Sequence, residues 1–145
     1  MTLARKTYYL DELSPGMEAS VSKTVTEKDI QAFADVTGDH NPVHLDEAYA
    51  ATTMFKTRIA HGMLTAGMFS AAFAMELPGP GCVYVSQTLD FKAPVRIGDV
   101  AVAKVKVLEV MESKRRARFH CACYVGDNLV VEGEAVLMVP RRKSA

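Results

Sequence analysis

The segment GMLTAGMFSAAFAMEL, residues 62–77, decides how the rest of this chain folds. Apolar side chains occupy nearly every position, a pattern typical of a helix that is buried on all of its faces. At about 1.5 Å per residue, such a helix runs roughly 24 Å and crosses a small domain. Gly67 costs about 1 kcal/mol of helix propensity, which favours a site of close backbone approach. The PGPG segment at 78–81 ends the helix.

After this helix the apolar pattern changes to a period of two, which predicts strands at 82–91, 100–111, 115–125 and 129–139. Alternate residues of a strand point to the same face of a sheet, so one face of each strand should be buried. The buried face of 115–125 should carry Ala117, Phe119, Cys121, Cys123 and Val125, and that of the last strand Val131, Ala135 and Leu137.

Before the buried helix, residues 18–25 are polar and β-branched and predict a first strand. A helix over 26–37 should follow, with Thr26 as its N-cap and Gly38 as its stop. Asp46 can cap a second, short helix over 47–52. These elements place a turn, residues 38–46, between two helices.

The order of elements predicts an α+β domain over residues 1–145, in which a curved antiparallel sheet wraps around one long buried helix. This is the hot-dog fold. Such a sheet has two open edges, and an edge rich in valine invites pairing with a second copy of the chain. We therefore expect a homodimer.

Composition excludes several classes of function. The chain has 145 residues and a formal net charge of zero. A nucleic-acid or anionic-membrane surface needs clustered basic residues, so neither partner is expected. The longest apolar run is too short to cross a membrane comfortably, and the first ten residues lack the apolar segment of a signal peptide. We expect a soluble, cytoplasmic protein.

The three cysteines, Cys82, Cys121 and Cys123, form no C-x-x-C pair and no zinc-binding spacing. An odd number of cysteines without such spacing is typical of thiols that lie in or near a core. We interpret them as free thiols in a reducing compartment.

The segment GDHNPVHLD, residues 38–46, carries the candidate chemistry. Pro42 fixes its own backbone and keeps Asn41 out of the helical region, which favours an ordered turn. The turn would hold the carboxylate of Asp39 and the imidazole of His44 at a set separation. The alternatives are an Asp39 that only caps a turn and a His44 that is a satisfied core histidine.

A carboxylate and an imidazole can polarise a water held between them, which suits addition of water to a double bond or its reversal. Such a reaction needs a hydrogen-bond donor for the carbonyl oxygen of the substrate. Gly62, at the N-terminus of the buried helix, offers an unpaired N–H and has no Cβ to obstruct a thioester. His61 is interpreted as structural, donating to a backbone carbonyl.

Two other kinds of site have weaker support. His40 and His44 have the spacing of metal ligands on a helix, but Pro42 lies between them, so no metal site is predicted. Ser70 and Cys82 lack the sequence context of a catalytic nucleophile.

The segments FADVTGDHNPVHLD at 33–46 and IAHGM at 59–63 resemble the MaoC-like (R)-specific enoyl-CoA hydratases, in particular the short enzymes that feed polyhydroxyalkanoate synthesis. The resemblance extends over most of the chain, including LPGPG at 77–81, FKAPV at 91–95 and GEA at 133–135. It shows no departure from the family at the proposed acid–base positions.

The resemblance implies a hot-dog dimer that binds an acyl-CoA in a tunnel near the subunit interface and makes an (R)-3-hydroxyacyl-CoA without a cofactor. Asp39 and His44 would activate water, and the N–H of Gly62 would polarise the thioester. Three further roles are implied: Asn41 would orient the pair, Ser70 would line the pocket and Phe73 would shape the acyl tunnel. The CoA phosphates would need basic partners, for which Lys56, Arg58, Lys92 and the C-terminal basic residues are available, but ordinary solvated charges are the better explanation for any one of them.

Three other functions stay open at this point. The same acid–base pair would serve a dehydratase acting on acyl carrier protein. A hot-dog thioesterase would share the fold and the helix-terminal donor. A small acyl-binding module would need neither Asp39 nor His44.

Overall fold

The computed structural model describes residues 6–142 and consists of four helices and a six-stranded antiparallel sheet. The helices are α1 (Glu27–Thr37), α2 (Pro42–Leu45), α3 (Glu47–Ala50) and α4 (Gly62–Met75). The strands are β1 (Glu18–Thr24), β2 (Val83–Gln87), β3 (Asp90–Phe91), β4 (Val100–Met111), β5 (Arg116–Val125) and β6 (Asn128–Met138). These bounds confirm the predicted α+β hot-dog fold, in which the sheet packs on α4.

The strand order is β1-β4-β5-β6-β2, with β3 also paired to β6. Strands β4, β5 and β6 therefore form a meander of consecutive neighbours, as the sequence predicts. The strand predicted over 82–91 does not lie next to β4 but pairs with the far side of β6. It is also divided into β2 and β3.

The division of that strand has a steric cause at Gly133 in β6. A Cβ on Gly133 would lie 1.8 Å from the carbonyl oxygen of Thr88, so the chain between β2 and β3 crosses directly over this glycine. Two hydrogen bonds fix the crossing: Thr88 N–H donates to Glu134 O at 2.8 Å, and Glu134 N–H donates to Thr88 Oγ1 at 3.0 Å.

The core lies between the sheet and α4. The inward residues predicted for β5 and β6 are buried, except that Val125 is only partly so, and they belong to the same core cluster as Phe69 and Phe73 of α4. Cys121 and Cys123 are buried free thiols and Cys82 is partly buried, which confirms their core interpretation. Burial raises the pKa of Cys121 and of Cys123 to about 11.

The prediction that α4 is buried on every face is wrong for the single chain. One face packs on the sheet, and the opposite face is exposed although it is largely apolar: Met63, Gly67, Ser70, Ala71, Ala74 and Met75. We call these six residues the open face of α4. The sheet of one chain reaches around only part of the helix, so the apolar pattern exceeds what one chain can cover.

None of the helices formed by residues 6–142 combines the length and the apolar character needed to cross a lipid bilayer.

Candidate active site

A cavity of about 840 Å³ opens between the end of α1, the residues that precede α4, the first turn of α4 and the chain around β3. Its walls are mostly aromatic and aliphatic side chains: Phe33, Phe55, Ile59, Met63, Phe91 and Val95. Its polar lining residues are Thr37, Asp39, His44, His61, Thr65 and Lys92. An apolar cavity with a few convergent polar groups is typical of a site for a small organic ligand.

Asp39 is delivered to the cavity by the end of α1. The predicted N-cap Thr26 forms a capping box with Asp29 at the start of this helix, and Gly38 ends it with φ of +82°, a left-handed conformation that suits glycine. The Asp39 N–H donates to Thr37 Oγ1 at 3.2 Å, and its carboxylate accepts the Asn41 N–H at 3.2 Å. The carboxylate is therefore held by the turn that it begins.

Asn41 and Pro42 start the one-turn helix α2 rather than an irregular turn. The side chain of Asn41 accepts the Val43 N–H at 3.2 Å, and Pro42 takes the first helical position, where its missing N–H is harmless. Asn41 thus contacts the Asp39 carboxylate through its own N–H and caps the helix that carries His44. Among residues 6–142 it is not part of the cavity wall.

The ring of His44 is buried, and its tautomer follows from its partner. Its Nδ1 lies 2.8 Å from the backbone carbonyl of Ile59. A carbonyl oxygen can only accept, so Nδ1 carries the hydrogen and Nε2 of the neutral ring has a free lone pair. That lone pair makes His44 a proton acceptor.

Burial is the largest influence on the charge of His44, and it lowers the pKa of the ring. The nearby His61 lowers the pKa further, while the hydrogen bond to Ile59 and the Asp39 carboxylate oppose these effects. The pKa lies below the ordinary value of 6.5, so the ring is neutral at pH 7.

His61 donates through Nε2 to the backbone carbonyl of Asp39 at 2.9 Å, which confirms the predicted donation to a backbone carbonyl. Its ring also stacks on that of His44, with 3.8 Å between the ring centroids and 28° between the planes. This contact joins segment 38–46 to segment 59–63.

A carboxylate oxygen of Asp39, a ring nitrogen of His44 and a ring nitrogen of His61 lie within 4.8 Å of one another. Two hydrogen bonds of about 2.8 Å that meet at a tetrahedral oxygen span about 4.5 Å, which is compatible with one water bridging Asp39 and His44. A metal ion could also use such donors. However, backbone carbonyls engage one nitrogen of each ring, and Nδ1 of His61 is shielded from solvent. His44 therefore presents the accessible imidazole lone pair.

Gly62 is the first residue of α4, beside this trio. The first N–H groups of a helix have no acceptor within it, and the side chain of His61 does not cap this end. An ideal Cβ on Gly62 would lie 2.6 Å from Cε1 and 2.8 Å from Cδ1 of Phe91. Glycine is therefore required for the observed approach of the Phe91 ring to the helix.

Ser70 and Phe73 are not brought into this cavity. Ser70 is on the open face of α4, one and a half turns beyond the cavity wall formed by Thr65. Phe73 is 1% exposed and packs edge-on against Phe119 and Tyr84, with 4.9 and 5.5 Å between ring centroids. Their assignments to the substrate pocket stay predictions, which require the tunnel to continue past the single chain.

Arg58, considered from the sequence only as a contact for CoA phosphates, makes contacts within the protein that the sequence did not predict. Its side chain is 12% exposed, donates through Nε to the backbone carbonyl of His44 at 2.6 Å and forms a two-pronged ion pair with Glu27 of α1. It ties α1 to α2. Its spacing from Glu27 and His44 gives no signal in the sequence. Lys92, in contrast, lines the cavity.

A family model and the similar proteins of known name agree on one family. A family model described as "MaoC like domain" matches residues 12–127. The (R)-specific enoyl-CoA hydratase of Rhodospirillum rubrum is 50% identical over 135 residues, which cover 93% of this chain and 94% of that protein. The 3-hydroxybutyryl-CoA dehydratase of Methylorubrum extorquens is 50% identical over 137 residues, covering 94% and 87% respectively.

A solved structure agrees with these sequences. The unliganded R-hydratase PhaJ1 from Pseudomonas aeruginosa superimposes with a TM-score of 0.90 at 44% sequence identity. The match covers 97% of this chain and 94% of that chain, so the likeness extends over the sheet, the helices and the cavity.

Proposed function

Because this chain belongs to the MaoC-like domain family, we propose that it adds water to trans-2-enoyl-CoA to give (R)-3-hydroxyacyl-CoA, and catalyses the reverse elimination. It is a hydro-lyase. The observation that carries the proposal is the Asp39 carboxylate and the His44 ring within 4.8 Å of each other, beside the N-terminus of α4 in an apolar cavity. The relatives named as hydratases and as a dehydratase support the same reaction in its two directions.

In the forward direction, the water donates one hydrogen bond to the Asp39 carboxylate and one to Nε2 of neutral His44. Its oxygen then forms a bond with C3 of the substrate while the π electrons of the double bond move toward the thioester oxygen. The pair removes one proton from the water and returns a proton to C2. Water is consumed and no net proton is gained or lost.

The negative charge that develops on the thioester oxygen needs a donor that is already in place. The N–H of Gly62 meets this need because it is free of an intrahelical acceptor and lies at the positive end of the α4 dipole. Thioester activation acidifies C2, so the reaction requires no cofactor.

Hydration of crotonyl-CoA by the purified protein tests the proposal. We expect loss of the enoyl absorbance and (R)-3-hydroxybutyryl-CoA on chiral analysis. Release of free CoA thiol without hydration would identify a thioesterase instead. Turnover of crotonyl-acyl carrier protein but of no enoyl-CoA would replace the proposed substrate, and inactivity toward all of these substrates would overturn the proposal.

The decrease of kcat/KM at acid pH should follow the protonation of His44. Because its pKa lies below 6.5 and its neutral form accepts the proton, kcat/KM should be constant near pH 7 and fall only below pH 6.5. Initial rates with crotonyl-CoA between pH 5 and pH 8 check this. A rate that increases as the pH falls through this range would mean that catalysis requires protonated His44.

Gly62→Ala should lower kcat/KM by about tenfold, because the new methyl group collides with the Phe91 ring and narrows the approach to the N–H. The double variant Gly62→Ala/Phe91→Leu, which removes the colliding ring atoms, should recover part of the loss. Equal kcat/KM for wild type and Gly62→Ala would mean that access to the N–H does not depend on the space that glycine leaves beside Phe91.

We further propose that two copies pair through the open face of α4 and the edge strand β2. Successive residues of a strand normally alternate between buried and exposed, but Val83, Tyr84 and Val85 are 55%, 40% and 40% exposed. The outer edge of β2 has no strand partner within residues 6–142. A second copy covers both surfaces and encloses Ser70, which supports a substrate tunnel that continues at the subunit interface.

Sedimentation equilibrium should give twice the chain mass of 15.8 kDa at micromolar concentration. Val85→Lys should shift the protein toward monomer, whereas Val36→Lys, at an 86% exposed valine of α1, should not. A wild-type monomer at these concentrations would contradict the dimer.

A further inference from the structure

The ring of His61 touches both members of the proposed acid–base pair. Its Nε2–H donates to the Asp39 carbonyl at 2.9 Å, and its face stacks on His44 with 3.8 Å between centroids. Phe33 of α1 packs against it with 4.7 Å between centroids. The side chain is 2% exposed, so its surroundings are protein rather than solvent.

His61 also has a buried polar atom that residues 6–142 leave without a partner. Its Nδ1 is buried and has no hydrogen-bond partner among the described residues, 6–142. An unmade hydrogen bond in the interior is destabilising, and such groups are rare in folded proteins. An apolar side chain would fill the same space without this penalty. We therefore attribute the choice of histidine at this position to the two contacts of its side chain, the hydrogen bond to the Asp39 carbonyl and the stacking on the His44 ring.

The Nε2–H of His61 binds the backbone carbonyl of Asp39, which makes no hydrogen bond within the local turn. Thr37 accepts the N–H of Asp39, and Asn41 donates to its carboxylate. Within residues 6–142, the Asp39 carbonyl accepts a hydrogen bond only from His61. Since Gly62 follows His61 directly, this bond ties the turn that carries Asp39 to the helix end that carries the proposed thioester donor.

We propose that His61 is a positioning residue for the hydration reaction, which sets the placement of Asp39 and His44 relative to the Gly62 N–H. It acts through these groups, by one hydrogen bond and one ring contact, and exchanges no proton with the substrate. This inference rests on the proposed function. It predicts that changes at His61 affect the chemical step more than substrate binding.

His61→Leu should lower kcat for crotonyl-CoA by about tenfold to a hundredfold, because small misplacements of reacting groups are costly, and should leave KM within about twofold. His61→Gln restores an N–H donor near the position of Nε2. It should recover about fivefold of the lost kcat, the worth of one hydrogen bond. A purely structural role would not distinguish kcat from KM or leucine from glutamine.

Val107→Ala provides the control for general destabilisation. Val107 is 1% exposed in β4 and outside the cavity wall, so its truncation should lower the melting temperature and leave kcat unchanged. If His61→Leu does not fold, His61→Phe takes its place in the comparison with His61→Gln. Phenylalanine keeps a ring against His44 but lacks the N–H.

The outcomes separate the two proposals. An inactive wild type would overturn the proposed function and with it this inference. If the wild type is active, two results would overturn the role of His61 and leave the proposed function intact. One is a normal kcat for His61→Leu. The other is a kcat for His61→Gln no higher than that of the variant without the donor, His61→Leu or His61→Phe.

Discussion

Replacing Asp39 with asparagine is expected to lower kcat for enoyl-CoA hydration by roughly two to four orders of magnitude while the fold is retained. The amide has nearly the shape of the carboxylate, and its oxygen can still accept the Asn41 N–H that shapes the turn. It cannot take a proton from water. The loss should therefore appear in steady-state rates with crotonyl-CoA, and the melting temperature should change little.

Asp35→Asn is the matched control for this experiment. Asp35 is an exposed carboxylate of α1 that contacts Gln31 and His40 and is not part of the cavity wall. The same chemical change four positions upstream should leave turnover close to wild type. Near-normal turnover of Asp39→Asn would remove Asp39 from the mechanism.

Replacing His44 with asparagine should produce a loss of similar size, roughly two to four orders of magnitude in kcat. The asparagine Nδ2 lies where the histidine Nδ1 was, so the hydrogen bond to the Ile59 carbonyl can be kept. Nε2, the proposed proton acceptor, is removed. His40→Asn is the control: this exposed histidine pairs with Asp35 outside the cavity, and its replacement should leave kcat unchanged.

The double variant Asp39→Asn/His44→Asn distinguishes a cooperating pair from two independent contributions. Groups that act on one water form a unit, so removing the second should cost little after the first is gone. Measured activity near that of either single variant supports the shared water. A loss equal to the product of the two single losses would mean that the residues act on separate steps.

Much of the fold could be predicted because local patterns specify it. The helical spacing, the capping box at Thr26 and the glycine stop at Gly38 fixed α1 and hence the place of Asp39. Alternation identified β4, β5 and β6 to within one residue at each end. The break between β2 and β3 was not predicted, because it depends on the crossing of Thr88 over Gly133, which are 45 positions apart.

The site shows the same division between local and long-range information. The turn that positions Asp39 and Asn41 is local and was predictable, as was the place of Gly62 at a helix start. The contacts of His61 with His44 and of Arg58 with the His44 carbonyl join residues 14 or more positions apart. No periodicity or capping rule encodes such pairs, so the tertiary structure was needed to find them.

The open face of α4 also affects what a stability measurement on this protein means. Since pairing proposed for this face stabilises the folded chain by mass action, dilution should lower the melting temperature even though no covalent structure changes. A melting temperature of this protein is then defined only together with the protein concentration at which it is measured. Comparisons between wild type and any variant are meaningful only when both are measured at equal subunit concentration.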